Sequence, residues 1–212
     1  MKVKVWNERL LVSSALCVVP LVIGLFLYDK IPDNMPIHWS STENADGFIA
    51  KSIGIWLVPL GLLVVHLLVS LGMTLKNRNQ QMARMTLLVG YWAVPVVAVI
   101  IEPMTLLKAA GYAVDITRVV LSVVGILFVI AGNYMPKNQP NTVAGYRLPW
   151  TLGDVNNWKR THLLAGKLWI LVGFVLLICG WTPVGDAWWL IVLVFVALVA
   201  PMVYSYAIRN AR

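Results

Sequence analysis

The stretch that decides the fold is Ile53-Gly-Ile-Trp-Leu-Val-Pro-Leu-Gly-Leu-Leu-Val-Val-His-Leu-Leu-Val-Ser-Leu-Gly-Met-Thr-Leu75, 23 residues without a formal charge. At about 1.5 Å per residue a helix of this length crosses the ~30 Å hydrocarbon core of a bilayer. Five further apolar runs accompany it: Leu10–Leu27, Thr86–Leu107, Val119–Gly132, Leu163–Cys179 and Ala187–Ile208. The fourth run in chain order is short, so its span is expected to begin near Ile116 and to include Arg118, whose long stem can snorkel. Long uninterrupted runs satisfy their backbone internally as helices, whereas barrel strands would alternate. Pro20, Pro59 and Pro95 lie inside runs and predict kinks rather than ends. Across all 212 residues, 59% are hydrophobic and 12% charged, with mean hydropathy +0.78, too few charges to cover a soluble core. The expected fold class is an all-α integral membrane protein, a bundle of six transmembrane helices.

Sidedness follows from the basic residues. Thirteen of the 17 Lys+Arg fall on one side, in the N-terminus (Lys2, Lys4, Arg9), the second loop (Lys76, Arg78, Arg84), the fourth loop (Lys137, Arg147, Lys159, Arg160, Lys167) and the C-terminus (Arg209, Arg212). Of the nine acids only Glu8 and Asp154 join them. Basic residues collect in cytoplasmic loops, so both termini are expected inside the cell. The net charge of +8 therefore predicts a membrane orientation, with no direct nucleic-acid partner. Cys17 and Cys179 both sit in apolar runs and are expected to remain reduced. The first run has no small-residue cleavage site after it and is expected to stay as a span.

Two connections are long enough to carry chemistry. The outer loop, 28–52, contains Ile31-Pro-Asp-Asn-Met-Pro-Ile-His-Trp-Ser40, in which Pro32 and Pro36 favour an extended chain, and Asn44 to Gly47 supply a turn. His38 with Asp46 or Glu43 is a conceivable metal pair, but a single histidine without a second His or Cys is a weak signal, and no metal is expected. Trp39 suits an interfacial anchor. With Asp29, Asp33, Glu43 and Asp46 nearby, an outer ligand would be cationic rather than anionic.

The inner loop, 133–162, carries Pro136, Pro140 and Pro149, with Gly145 for a turn. Thr151 followed by Asp154 resembles a capping box, predicting a helix from near Leu152 that shows Leu152, Val155, Trp158 and His162 at helical spacing. Arg147, between Tyr146 and Pro149-Trp150, suits a guanidinium held on aromatic faces or bound to lipid phosphate. Within the spans, Glu102 is either paired with Lys108 or Arg118 or a ligand or proton site, and His66 is expected neutral and bonded to a neighbouring helix. Gly54, Gly61, Gly72 and Gly90 are candidates for close helix approach.

The run Gly132-Asn-Tyr-Met-Pro136, with Asn141, Gly145-Tyr-Arg-Leu-Pro-Trp-Thr-Leu152, Trp158 and Thr161-His162, resembles the signature of the SdpI family, bacterial membrane proteins named for immunity to a secreted killing peptide. Ile31-Pro, Met35-Pro-Ile-His-Trp39, Asp46-Gly47 and Lys51 are similar to a small N-terminal domain of unknown function that often precedes it. The resemblance implies a two-helix region at 1–75 and an SdpI-like four-helix region at 76–212, in a multi-pass protein of the bacterial cell membrane. It implies resistance to a membrane-active toxin peptide bound outside, and a small helix-turn-helix repressor held inside. Asn133, Asn141, Gly145, Arg147, Pro149, Trp150, Thr151, Trp158, Thr161 and His162 become its candidate binding residues, with Pro36, His38, Trp39, Asp46, Gly47 and Lys51 in the outer loop. The chain has no zincin His-Glu-x-x-His, nucleophile elbow or nucleotide-phosphate loop, so neither an enzyme nor a cofactor is expected. The alternative is a small transporter or intramembrane enzyme using Glu102 and the inner loop.

Overall fold

The computed structural model describes residues 8–40, 42–77, 84–182 and 188–209. The basic residues Lys2, Lys4, Arg78 and Arg212, counted above for sidedness, lie outside them. Six long helices match the six apolar runs: α1 (Glu8–Phe26), α2 (Lys51–Asn77), α3 (Arg84–Ala109), α4 (Ile116–Tyr134), α6 (Val155–Gly180) and α7 (Trp188–Ala207). Each is long and apolar enough to cross a membrane. The short run does extend back to Ile116, carrying Arg118 in its first turn. Prolines 20, 59, 95, 103 and 201 all sit inside helices, as lipid-facing and helix-facing neighbours allow.

Smaller elements join them: the 3-10 turns Tyr28–Lys30 and Met135–Lys137, an antiparallel hairpin of β1 (Asn34–Trp39) and β2 (Ala45–Ala50), and the single-turn helix α5 (Pro149–Leu152). The extended, turn-bearing outer loop predicted from its prolines is thus a paired ribbon. α5 corrects the predicted capping box. Thr151 lies within α5, and the long helix starts after a break at Gly153, with Asp154 Oδ1 accepting from Asn156 N at 2.8 Å. Leu152 and Val155 are consequently exposed, while Trp158 and His162 are buried.

The chain divides into two compact units, Met1–Asn79 with Leu87–Val120, and Gln80–Thr86 with Leu121–Arg212. α3 groups with α1 and α2 in the first of them. In the first unit Ile31 and Met35, at the base of the hairpin, pack with Ile55, Leu106 and Ala109. In the second, Val172, Leu176, Leu190 and Ala197 form the apolar centre of α6 and α7, with Leu121, Val124 and Phe128 of α4 against it.

Close helix approach is built on one of the expected glycines and on others not expected. Nothing lies within 4 Å of a Cβ placed on Gly61 or Gly72, and one on Gly54 would meet Ile49 of β2, 2.6 Å away. Of the four, only Gly90 faces another helix, against Met73. The tight crossing is between α4 and α6. A Cβ on Gly125 would stand 2.8 Å from the Gly173 carbonyl, and one on Gly132 2.9 Å from the Gly166 carbonyl. Two glycines seven residues apart on each helix, paired in antiparallel order, leave one backbone lying directly on the other.

Candidate functional site

The inner-loop residues lie in the second unit and form one hydrogen-bonded scaffold. After α4, where Asn133 is exposed in the last turn, Met135–Lys137 make a 3-10 turn and Asn141 folds the following chain. Its Oδ1 accepts from Val143 N and Ala144 N, both at 2.9 Å, and its Nδ2 donates to the Gln139 carbonyl at 2.8 Å. Gly145 then takes φ +109°, the left-handed region, and a Cβ there would run into the His162 ring.

That contact continues into the next bond. Tyr146 N donates to His162 Nε2 at 3.1 Å, while His162 Nδ1 lies 2.8 Å from the Trp158 carbonyl. Nε2 must accept, so Nδ1 carries the proton and the ring is the neutral Nδ1–H tautomer. Trp158 stacks on it at 3.9 Å between centroids and donates Nε1–H to the Asn138 carbonyl at 2.8 Å. His162 is thus a structural hub, joining the loop to α6.

Thr151 ties the loop to α5. Its hydroxyl accepts from Leu148 N at 2.9 Å and reaches the Tyr146 carbonyl at 2.5 Å. Pro149 opens α5, where a missing N–H costs nothing. Trp150 Nε1 donates to Ser205 Oγ at 3.0 Å, and Asn157 Nδ2 donates to the Ser205 carbonyl at 2.9 Å. Thr161 donates in turn to Asn157 Oδ1 at 3.0 Å. Eight of the ten inner candidates, all but Asn133 and Arg147, are committed to holding this scaffold. Arg147 is exposed and uses one guanidinium N–H on the Thr142 carbonyl at 2.8 Å, in place of the aromatic stack expected.

Sequence reasoning missed three members: Asn157, Ser205 and the hydroxyl of Tyr146. Tyr146 OH donates to the Leu198 carbonyl at 3.0 Å, and burial pushes its phenol above the ordinary value, so it stays a donor. Trp169 Nε1 donates nearby to the Ala197 carbonyl at 3.3 Å. Pro201 has no N–H for that carbonyl, four residues before it, so the indole replaces the lost helix bond. A proline and a serine inside an otherwise apolar run were the signals that α7 receives polar partners.

The outer candidates lie in the first unit, on and beside the hairpin. His38 Nδ1 is 2.5 Å from Asp46 Oδ1, and Gly47 pairs with His38 across the ladder. Pro36 faces Phe48. Lys51 donates to the Ile31 carbonyl at 2.9 Å, pairs with Asp33 at 3.0 Å, and lies over the Tyr28 ring. Glu43 stands apart from His38 and Asp46. At φ +63° it turns its carboxylate to Lys108 of α3 and to the first amides of α4, Ile116 N at 3.1 Å and Thr117 N at 2.9 Å. Partial burial alone would raise its pKa, but the Lys108 ammonium and the two N–H donors outweigh it and hold the carboxyl at about 2. Trp39 lies beneath Lys108, 5.5 Å from ring centroid to nitrogen. Three of the four loop acids are therefore engaged within the chain. Among the described residues no group of three metal-ligating side chains occurs.

Glu102 is buried in α3. The pairing expected with Lys108 or Arg118 is not formed: Lys108 is taken by Glu43 and the Val114 carbonyl, Arg118 by Asp115. His66, fully buried, does bond a neighbouring helix, with Nε2 2.9 Å from Ser13 Oγ of α1.

Comparison with known proteins matches both halves of this description. Residues 137–205 match the SdpI/YfhL protein family, and residues 15–63 match the Domain of unknown function (DUF1648). The chain is 29% identical over 200 residues to the "Immunity protein SdpI" of Bacillus subtilis (strain 168), covering 94% of this chain and 95% of that one. No solved structure matches it. The inner scaffold from Asn141 to Ser205 lies inside the first match and the hairpin inside the second; Asn133, His66 and Glu102 lie outside both.

Proposed function

Because this chain belongs to the SdpI family and is a multi-pass protein of the cell membrane, we propose that it is an immunity protein, protecting its cell from a membrane-active toxin peptide. The observation that carries the reading is the near end-to-end likeness to an immunity protein, with the inner family segment folded into one connected scaffold. Such a scaffold suits recognition rather than catalysis: its histidine has both nitrogens spent, and its hydroxyls donate to carbonyl oxygens. The outer hairpin is the surface offered to the peptide. The inner loop, with Arg147 and Asn133 exposed on its surface, is offered to a small helix-turn-helix repressor. This division assigns the basic side to the cytoplasm, with both termini inside. A peptide bound outside changes the inner loop only by binding one of two arrangements of the protein more tightly.

The test is survival. Expressed in a toxin-sensitive host, the parent chain raises the tolerated peptide concentration, and Arg147→Ala at equal membrane abundance loses the signalling output. Killing unchanged by every peptide tried overturns the immunity reading. A second reading, a proton-carrying role in transport, is favoured by one observation: Glu102 is buried and has no ion-pair partner among the described residues. Glu102→Gln removes protection in that reading and spares it in the first.

A further inference from the structure

Residues 144–148 pack on α7 without being helical. The Trp150 indole meets α7 at Ser205, and the Tyr146 hydroxyl meets it at Leu198, points about 10 Å apart along the helix. Irregular backbone beside a membrane-spanning helix persists where protein covers it or where it lines a cavity. Here it lines a cavity of about 380 Å³, within the usual range of roughly 300–1,000 Å³ for ligand sites.

The cavity has two kinds of wall. Met135, Trp169, Leu198 and Met202 make an apolar one. Tyr146 also lines it, but its hydroxyl is spent on the Leu198 carbonyl. Arg147 is the one charged lining residue, and it is exposed, so it stands at the mouth. A guanidinium has five N–H donors; one goes to Thr142, and among the described residues no carboxylate pairs with it. The sequence of this unit is basic as well, with seven Lys+Arg and two acids over residues 121–212.

We propose that this cavity seats part of one anionic glycerophospholipid, its phosphate on Arg147 and the near end of one acyl chain against Met135, Trp169, Leu198 and Met202, with the rest of the lipid outside. The charge and the walls each select part of the ligand. Free phosphate would leave the apolar wall unfilled, and a neutral hydrocarbon would leave the guanidinium unengaged. Arginine suits the role because its planar fork bonds two phosphate oxygens at once. The inference shares Arg147 with the immunity reading but does not rest on it, and its readout is lipid binding, not survival.

The experiment uses the purified full-length chain in zwitterionic detergent, with palmitoyl-oleoyl phosphatidylglycerol, the matching phosphatidylcholine, and sodium phosphate as separate probes. Native mass spectrometry and thermal unfolding report binding. The parent retains one phosphatidylglycerol, with about tenfold preference over phosphatidylcholine, and melts later in its presence. Arg147→Gln brings the two lipids to near-equal retention; Arg147→Lys keeps part of the preference. Met202→Trp fills the cavity and loses both lipids. Equal retention of the two lipids by the parent overturns the proposal, as does unchanged phosphatidylglycerol preference in Arg147→Gln. Sodium phosphate alone raising the melting temperature as far as phosphatidylglycerol overturns it in favour of a plain anion site. Should Met202→Trp fail to fold, the Arg147 variants, compared at matched lipid-free melting temperature, decide the question.

Discussion

Glu43 holds a backbone conformation that costs a residue with a Cβ something on the order of 1–3 kcal/mol. The return is a carboxylate that joins Lys108 to the positive end of α4, where an anion is favoured by the helix dipole. Its folded pKa of about 2 lies below the ordinary 4.5. A depressed folded value means the contribution is complete above about pH 4.5 and fades as pH falls towards 2. Acid titration followed by Trp39 fluorescence should therefore show the hairpin released with a midpoint nearer 2 than 4.5. Glu43→Gln should speed amide exchange across β1 and β2 at pH 7, and exchange equal to the parent's would show the latch to be idle. Gly145 is the inner counterpart. Gly145→Ala meets both the positive φ and the His162 ring, and should cost about 1–3 kcal/mol in thermal unfolding. His162→Ala in that background removes the ring contact together with the acceptor for Tyr146 N, so the double variant should lose less than the sum of the two single losses.

The elements that matter are helices whose local faults are repaired by neighbours. Pro201 breaks one bond of α7, and the Trp169 indole fills it. Trp169→Phe should destabilise by about 1 kcal/mol through the orphaned Ala197 carbonyl. Pro201→Ala restores a backbone donor, so in its presence the same change should cost less. A double-mutant cycle measures the difference, and strict additivity would mean the two are not linked. Between α4 and α6 the glycine pairs leave no room for a side chain. Gly132→Leu should lower the melting temperature sharply, whereas Gly61→Leu, facing open space, should be nearly neutral.

For the whole molecule, the six spans were legible because each must carry about 20 apolar residues to cross lipid, a demand written in one dimension. The inner scaffold was legible as a set of residue types, Asn, Gly, Thr, Trp and His clustered in one loop, but not as bonds. Its partners Asn157 and Ser205 are 48 residues apart, and nothing local announces that they meet. Membrane sidedness is the prediction proper to this scale. A cysteine placed at Asn141 should resist an impermeant thiol reagent on intact cells and react after permeabilisation; labelling from outside would invert the arrangement.

Composition and spacing alone determined that this chain spans a membrane six times and concentrates its polar chemistry in two loops, since charge density and run length are properties of the linear order. Only the tertiary structure decided that the outer loop pairs into a hairpin latched by Glu43, that His162 is neutral and spent, and that Arg147 stands at the mouth of a cavity. Each of those depends on which groups, distant in the chain, satisfy one another's hydrogen bonds, and a buried polar atom takes whatever partner the packing brings within 3 Å or so.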